Sequence, residues 1–154
     1  MTTEATQEAQ FEYDRGVVGV QVQLGEFTIS PEQVRKYCET MGERNPKYAD
    51  GQVAPPGMLS SVSFGGGGAT LDPKVKFGNT TFMAGSRMEF NQPLMAGKPI
   101  KAQTSVKEVY GKTGRTGTMV FVVRRTEFLD AASGSLLGAM EQSTVHRETE
   151  ARGE

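Results

Sequence analysis

Tryptophan is absent from this chain, and cysteine and histidine occur once each. The lone cysteine, Cys38, excludes an internal disulfide and suits a reducing compartment. It falls at an inward helical position, so it is read as a small buried hydrophobe rather than a nucleophile. No metal site is expected. Neither sign of charge dominates: 17 lysines and arginines stand against 18 aspartates and glutamates, for a formal net charge of −1. Such a balance gives no electrostatic ground for nucleic acid or an anionic membrane as partner. No apolar run approaches the roughly 20 residues that a membrane-spanning helix needs. The polar, acidic stretch Met1 to Gln10 resembles neither a secretory signal nor a mitochondrial presequence, so a cytoplasmic location is expected.

Glycine, by contrast, is abundant, with 19 residues. Four stand together at Gly65 to Gly68, and three more at Gly111, Gly114 and Gly117, as sharp turns between elements require. The length suits one domain, with no internal repeat and no linker. The expected division is a flexible tail over residues 1–13, one domain over 14–148 and a second tail over 149–154.

Val18, Val20, Val22 and Leu24 alternate with small or polar residues, which predicts a strand, with extended structure resuming from Phe27 to Ile29. Ser30, Pro31 and Gln33 then form a helix start: an N-cap, a proline at the first helical position and a capping-box partner. Val34, Tyr37, Cys38 and Met41 follow at helical spacing and predict one apolar face. Gly42 ends the helix, and Pro46 forbids its continuation. Residues 45–54 read as an irregular loop. Pro56 opens a short buried helix through Met58, Leu59, Val62 and Phe64, and the glycine run closes it. Residues 69–81 read as loop with some extended structure.

The second half is β. Strands are predicted over Ser86 to Asn91, Ile100 to Glu108, Thr118 to Phe128 and Leu136 to His146. Turns are predicted over Gln92 to Lys98, Lys112 to Gly117 and Asp130 to Gly134. Leu137, Ala139, Glu141, Ser143 and Val145 share one face of the last strand. Connections this short demand antiparallel neighbours. The economical fold is an α+β hot-dog, an antiparallel sheet wrapped around a central helix.

Two stretches carry a family resemblance. The first runs Gly42-Glu43-Arg44-Asn45-Pro46-Lys47-Tyr48-Ala49-Asp50 and then Val53-Ala54-Pro55-Pro56-Gly57-Met58. The second is Phe90-Asn91-Gln92-Pro93-Leu94-Met95-Ala96-Gly97-Lys98. With the final strands, they resemble the MaoC-like dehydratase family, and within it the N-terminal dehydratase type, from about Gly16 to Arg147. The resemblance implies a hot-dog fold and an enoyl thioester of coenzyme A or acyl carrier protein as substrate, with no cofactor beyond that carrier.

In this family an Asp/His pair in a Gly-Asp-x-Asn-Pro-aliphatic-His motif moves the protons and holds the water, while a backbone N–H stabilises the thioester enolate. Here Glu43 stands for the Asp, Lys47 for the aliphatic residue and Tyr48 for the His, while Asn45 and Pro46 match. A phenol, ordinarily titrating near pH ~10, is a poor substitute for imidazole. The resemblance thus implies Glu43, Asn45 and Tyr48 as a degenerate catalytic motif, with Asp50, Pro56, Gly57 and Met58 around the substrate. His146 lies far along the chain, where a surface or edge-strand role is expected. Arg124 and Arg125 are adjacent in a strand and face opposite sides, so at most one can meet a carrier phosphate, and solvated surface charge is the default reading.

Relatives of this type often keep the fold without the dyad and pair with a second hot-dog that carries it. The expected function is therefore a hydratase or dehydratase subunit that shapes the acyl pocket beside a catalytic hot-dog partner. The alternatives are a self-sufficient enoyl-CoA hydratase using Glu43, as a homodimer, and a hot-dog that only binds acyl thioesters. A hot-dog thioesterase would place an acid on or near the central helix, and Met58 to Phe64 has none.

Overall fold

The computed structural model describes residues 11–61 and 71–150. The predicted helix is present as α1, Pro31–Met41, and its start follows the sequence logic. The Ser30 hydroxyl accepts from the Gln33 N–H at 3.1 Å, and the Gln33 side chain accepts from the Ser30 N–H at 2.8 Å. Gly42 closes the helix in the left-handed conformation, φ 70°, where a side chain would be strained. Val34 and Cys38 are buried and Tyr37 is half-buried, as the spacing predicts. Met41 departs from that face and is 65% exposed. It is the last helical residue, and the chain turns away at Gly42 rather than covering it.

Five strands make one antiparallel sheet in the order β1, β5, β6, β7, β3: β1 Val22–Phe27, β3 Thr80–Phe90, β5 Ile100–Gly114, β6 Gly117–Asp130 and β7 Leu136–Arg147. The first strand starts later than its alternation suggests. Arg15–Val17 is a 3-10 turn, Gly19 takes a positive φ of 80°, and Val18 makes only an isolated bridge to Val106. In the third, pairing with β7 extends the strand back to Thr80, well before Ser86. Between β5 and β6 the expected six-residue turn shrinks to Arg115 and Thr116, because the strands pair as far as Gly114 and Gly117. A hydroxyl contact between Thr113 and Thr118 (2.9 Å) and a Tyr110–Phe121 stack (5.0 Å between centroids) hold this hairpin. A small pair, β2 Val53–Ala54 with β4 Leu94–Met95, lies inside two stretches read as irregular.

The buried helix expected from Pro56 is a 3-10 turn over Pro56–Ser61, with Met58 and Leu59 buried. Val62, Phe64 and Gly65 to Gly68 lie outside the described residues. The core joins Val34 and Cys38 of α1, Tyr48, Met58, Leu59, and Ile100, Ala102 and Phe128 of the sheet. Val34, Ala102 and Phe128 are at most 1% exposed. Each of the larger pair contributes about 1.5–3 kcal/mol by leaving water. Phe11 to Tyr13, assigned to the tail by sequence, carry a ring stack of 5.6 Å, and Glu12 bridges to Lys76. At the other end Thr149, also assigned to a tail, bonds Asn79 at 2.9 Å.

Strand alternation separates two sheet faces. Phe128, Thr126, Arg124, Val122 and Val120 of β6 share the face that packs on α1. Thr126 and Thr104 meet there, hydroxyl to hydroxyl, at 3.2 Å. Arg125 lies on the opposite face, within an ion-pair cluster: Glu141 at 3.1 Å, Glu89 and Glu127 at 3.8 Å each. Among the described residues no helix is long and apolar enough to cross a membrane.

Candidate functional site

The loop after α1 is organised by its own side chains. The Glu43 N–H donates to the Cys38 carbonyl at 2.8 Å, continuing the helix cap. The Glu43 carboxylate then accepts the Asn45 N–H at 2.9 Å, and the Asn45 side chain accepts the Lys47 N–H at 3.2 Å. Asn45 thereby caps the 3-10 turn Pro46–Tyr48, whose fixed first φ comes from the proline. That turn drives the Tyr48 ring into the core, where it is 8% exposed, with the Lys47 ammonium 5.0 Å from its centroid. Glu43, Asn45 and Asp50 stay exposed.

Glu43, Asn45 and Tyr48 do come together. With Arg35, Cys38, Arg44 and Ala49 they line a cleft of about 180 Å³ at the C-terminal end of α1. The Cys38 thiol facing it is pushed up, chiefly by burial and then by the Glu43 charge. Cys38 is accordingly a poor nucleophile. Asp50 is not a lining residue. Its carboxylate accepts the Gln52 N–H at 3.0 Å and its carbonyl accepts from Arg35 at 3.0 Å, so it works as a turn former.

Pro56, Gly57 and Met58 lie on the 3-10 turn Pro56–Ser61 and do not line that cleft. Met58 is in the same core cluster as Tyr48. Its N–H is already given to the Pro55 carbonyl at 3.0 Å. Gly57 has a neighbour that sequence reasoning missed. The Tyr37 hydroxyl lies 2.8 Å from where a β-carbon on Gly57 would stand. The sequence places Tyr37 on the apolar helix face, and helical spacing says nothing about what its hydroxyl meets.

His146 is not an edge-strand residue. It sits in β7, between β6 and β3, half-buried, with Nδ1 3.0 Å from the Thr81 hydroxyl. Burial foremost holds its pKa below the usual imidazole value; Asp72 opposes that and Arg124 adds to it. It does not line the cleft of Glu43 and Tyr48. Among the described residues no group of His, Cys, Asp and Glu is arranged to hold a metal ion.

Several solved structures share this fold. A chain of the HadBC (3R-hydroxyacyl-ACP dehydratase) complex from Mycobacterium tuberculosis superimposes with a TM-score of 0.60 at 17% identity, over 86% of this chain and 98% of that one. A chain of the ChsH1-ChsH2 complex from the same organism gives 0.59 at 14% identity, over 92% and 89%. The R-hydratase PhaJ1 from Pseudomonas aeruginosa gives 0.54 at 19% identity, over 94% and 96%. At these identities the likeness establishes the fold. No curated protein matches the chain by sequence. A family model described as the FAS1-like, dehydratase domain region matches residues 16–136. The chain therefore belongs to the FAS1-like dehydratase-region family and folds as a MaoC-like hot-dog.

Proposed function

We propose that this chain is the supporting subunit of an enoyl thioester hydratase or dehydratase, shaping the acyl pocket while a second hot-dog chain supplies the Asp/His pair. The observation that carries this reading is the state of the motif cleft. Hydration requires groups that exchange protons at both alkene carbons near neutral pH. In the cleft Glu43 is engaged by the Asn45 N–H, a buried phenol stands at the histidine position, and the histidine of the chain lies elsewhere. The scaffold is kept and the proton-transfer pair is not.

The surface fits an assembled state. β3 is an edge strand, and along it Phe82, Met83 and Phe90 are 45%, 57% and 48% exposed. An apolar edge with unpaired backbone groups is a ready surface for another strand. The HadBC and ChsH1-ChsH2 structures are complexes by name, which supports a second chain as partner here. The substrate class is an acyl thioester on coenzyme A or an acyl carrier protein, with no resident cofactor. Within the pocket, Gly57 rather than Met58 is the candidate backbone donor to the thioester oxygen, because the Met58 N–H is already used.

Native mass spectrometry of the protein purified gently from its natural source tests this directly. The expected result is a stoichiometric second hot-dog chain bearing an intact Asp/His motif, with enoyl-CoA hydration only by the pair. A homodimer that hydrates enoyl-CoA unaided would overturn it in favour of Glu43 chemistry. Glu43 is the residue that second reading needs, since its exposed carboxylate does line the cleft.

A further inference from the structure

We infer that Arg124 is an oxyanion-binding residue, poised to take a carboxylate or phosphate group borne by the thioester. This inference rests on the reading above. Of the two adjacent arginines, Arg125 is consumed by Glu141, Glu89 and Glu127 on the outer face of the sheet. Arg124 points to the other face, the one that packs on α1, two residues from Thr126 and four from Phe128 along the same unbroken strand.

There its guanidinium makes no ion pair among the described residues. Its Nε is the one buried side-chain nitrogen or oxygen without a hydrogen-bond partner among the described residues. Buried N–H groups are nearly always paired, and an unpaired one on a charged side chain is costly. No carboxylate lies within ion-pair range of Arg124 among the described residues; the acidic side chains of β3, β6 and β7 nearest in register are committed to Arg125. Asp72, whose charge His146 senses together with that of Arg124, accepts the Lys74 N–H at 2.8 Å and forms no ion pair with Arg124.

What flanks Arg124 is suited to an anion. Across the sheet its register partners are Val106 on β5 and Gln142 on β7, and Gln142 pairs in turn with Ser86 on β3. Guanidinium, carboxamide and hydroxyl therefore form one polar row; Thr126 and Thr104 and then Phe128 and Ala102 lie on one side of it, and Val122 and Val120, with Thr144 and His146 as their register partners, on the other. Val106 and Val122 are at most 2% exposed, so the charge sits beside low-dielectric walls. Guanidinium offers a planar fork of donors that matches a carboxylate or phosphate, and both row neighbours can add a donor.

The test uses the assembled protein with wild type, Arg124→Met and Arg124→Lys, and three probes: butyryl-CoA, butyryl-pantetheine without phosphates, and glutaryl-pantetheine with an acyl carboxylate but no phosphate. Arg124→Met is expected to weaken an anion-bearing probe at least tenfold while leaving butyryl-pantetheine within twofold, and Arg124→Lys to recover part of the loss. A loss on butyryl-CoA assigns the carrier phosphate; a loss on glutaryl-pantetheine alone assigns an acyl carboxylate. Without ligand, Arg124→Met is expected to melt no lower than wild type, since it removes an unpaired buried N–H. Unchanged affinities for all three probes, or a clear fall in melting temperature or loss of assembly in Arg124→Met, would overturn the inference while the thioester reading stands. If wild type binds none of the probes, both fall.

Discussion

The Tyr37 hydroxyl of α1 stands 2.8 Å from the position a β-carbon on Gly57 would occupy. Glycine at this point lets the helix settle directly on the Pro55-Pro56-Gly57-Met58 turn. Gly57→Ala should therefore push the phenol aside, at about 1 kcal/mol, the low end for overpacking, because the obstructing atom is the tip of a half-buried side chain. Tyr37→Phe removes the atom in the way. Combined, Gly57→Ala with Tyr37→Phe should regain most of the loss in a denaturation double-mutant cycle. Additive losses would mean that the two residues do not meet.

Glu43 offers a separation of structure from chemistry. Its carboxylate accepts the Asn45 N–H at 2.9 Å, and a glutamine oxygen can accept the same bond. Glu43→Gln is expected to leave both the melting temperature and the hydration rate of the assembled complex within about twofold. Glu43→Ala should lose the loop contact, costing about 0.5–1.5 kcal/mol. A collapse of turnover in Glu43→Gln with normal folding would transfer the chemistry to this chain.

Arg125 concentrates charge on the outer sheet face. Its side chain is 24% exposed and that of Glu141 16%, so the pair is partly shielded from solvent. The Glu141 carboxyl is held below its ordinary value, first by the Lys107 ammonium at 2.7 Å and also by Arg125, with burial opposing both. Arg125→Ala leaves Glu89, Glu127 and Glu141 crowded together, and should cost about 1–3 kcal/mol at neutral pH. A depressed carboxyl contributes stability above its ordinary value and loses it as the pH falls. The difference between Arg125→Ala and wild type should consequently shrink below about pH 4, near the carboxylate range. Urea titrations at neutral and acid pH read this out, and a pH-independent difference would show that packing, not charge, was lost.

His146 makes the other face of the sheet, the one that carries Arg124, pH-sensitive. Its pKa is lowered chiefly by burial; Asp72 counteracts this and Arg124 reinforces it. The folded state thus resists protonation more than the unfolded chain does. The stabilising share is fully present above about pH 6.5, the ordinary imidazole value, and disappears as the pH falls through the lowered folded value. Melting temperature should decline on acidification from about pH 7.5 to 5.5, and His146→Gln should flatten that decline. An equal slope in both proteins would assign the effect to other groups.

The local sequence determined every element whose signal lies in neighbouring residues. Ser30, Pro31, Gln33 and Gly42 specify both ends of α1 through capping chemistry that needs only a few adjacent residues. Period-two alternation located the later strands, and Pro46 marked where the helix could not continue. Partner-dependent features were not legible. Strand limits moved wherever cross-strand pairing outran the local pattern, as at Thr80 and Gly114. The helix read from Pro56 became a 3-10 turn over its described part, because helical spacing of apolar residues does not report how close α1 sits. Alternation could say that Arg124 and Arg125 oppose one another; only the placement of Glu89, Glu127 and Glu141 decided which guanidinium is satisfied and which is left unpaired. Hydrogen bonds and ion pairs between distant segments depend on distance in space, and chain order does not encode that distance residue by residue.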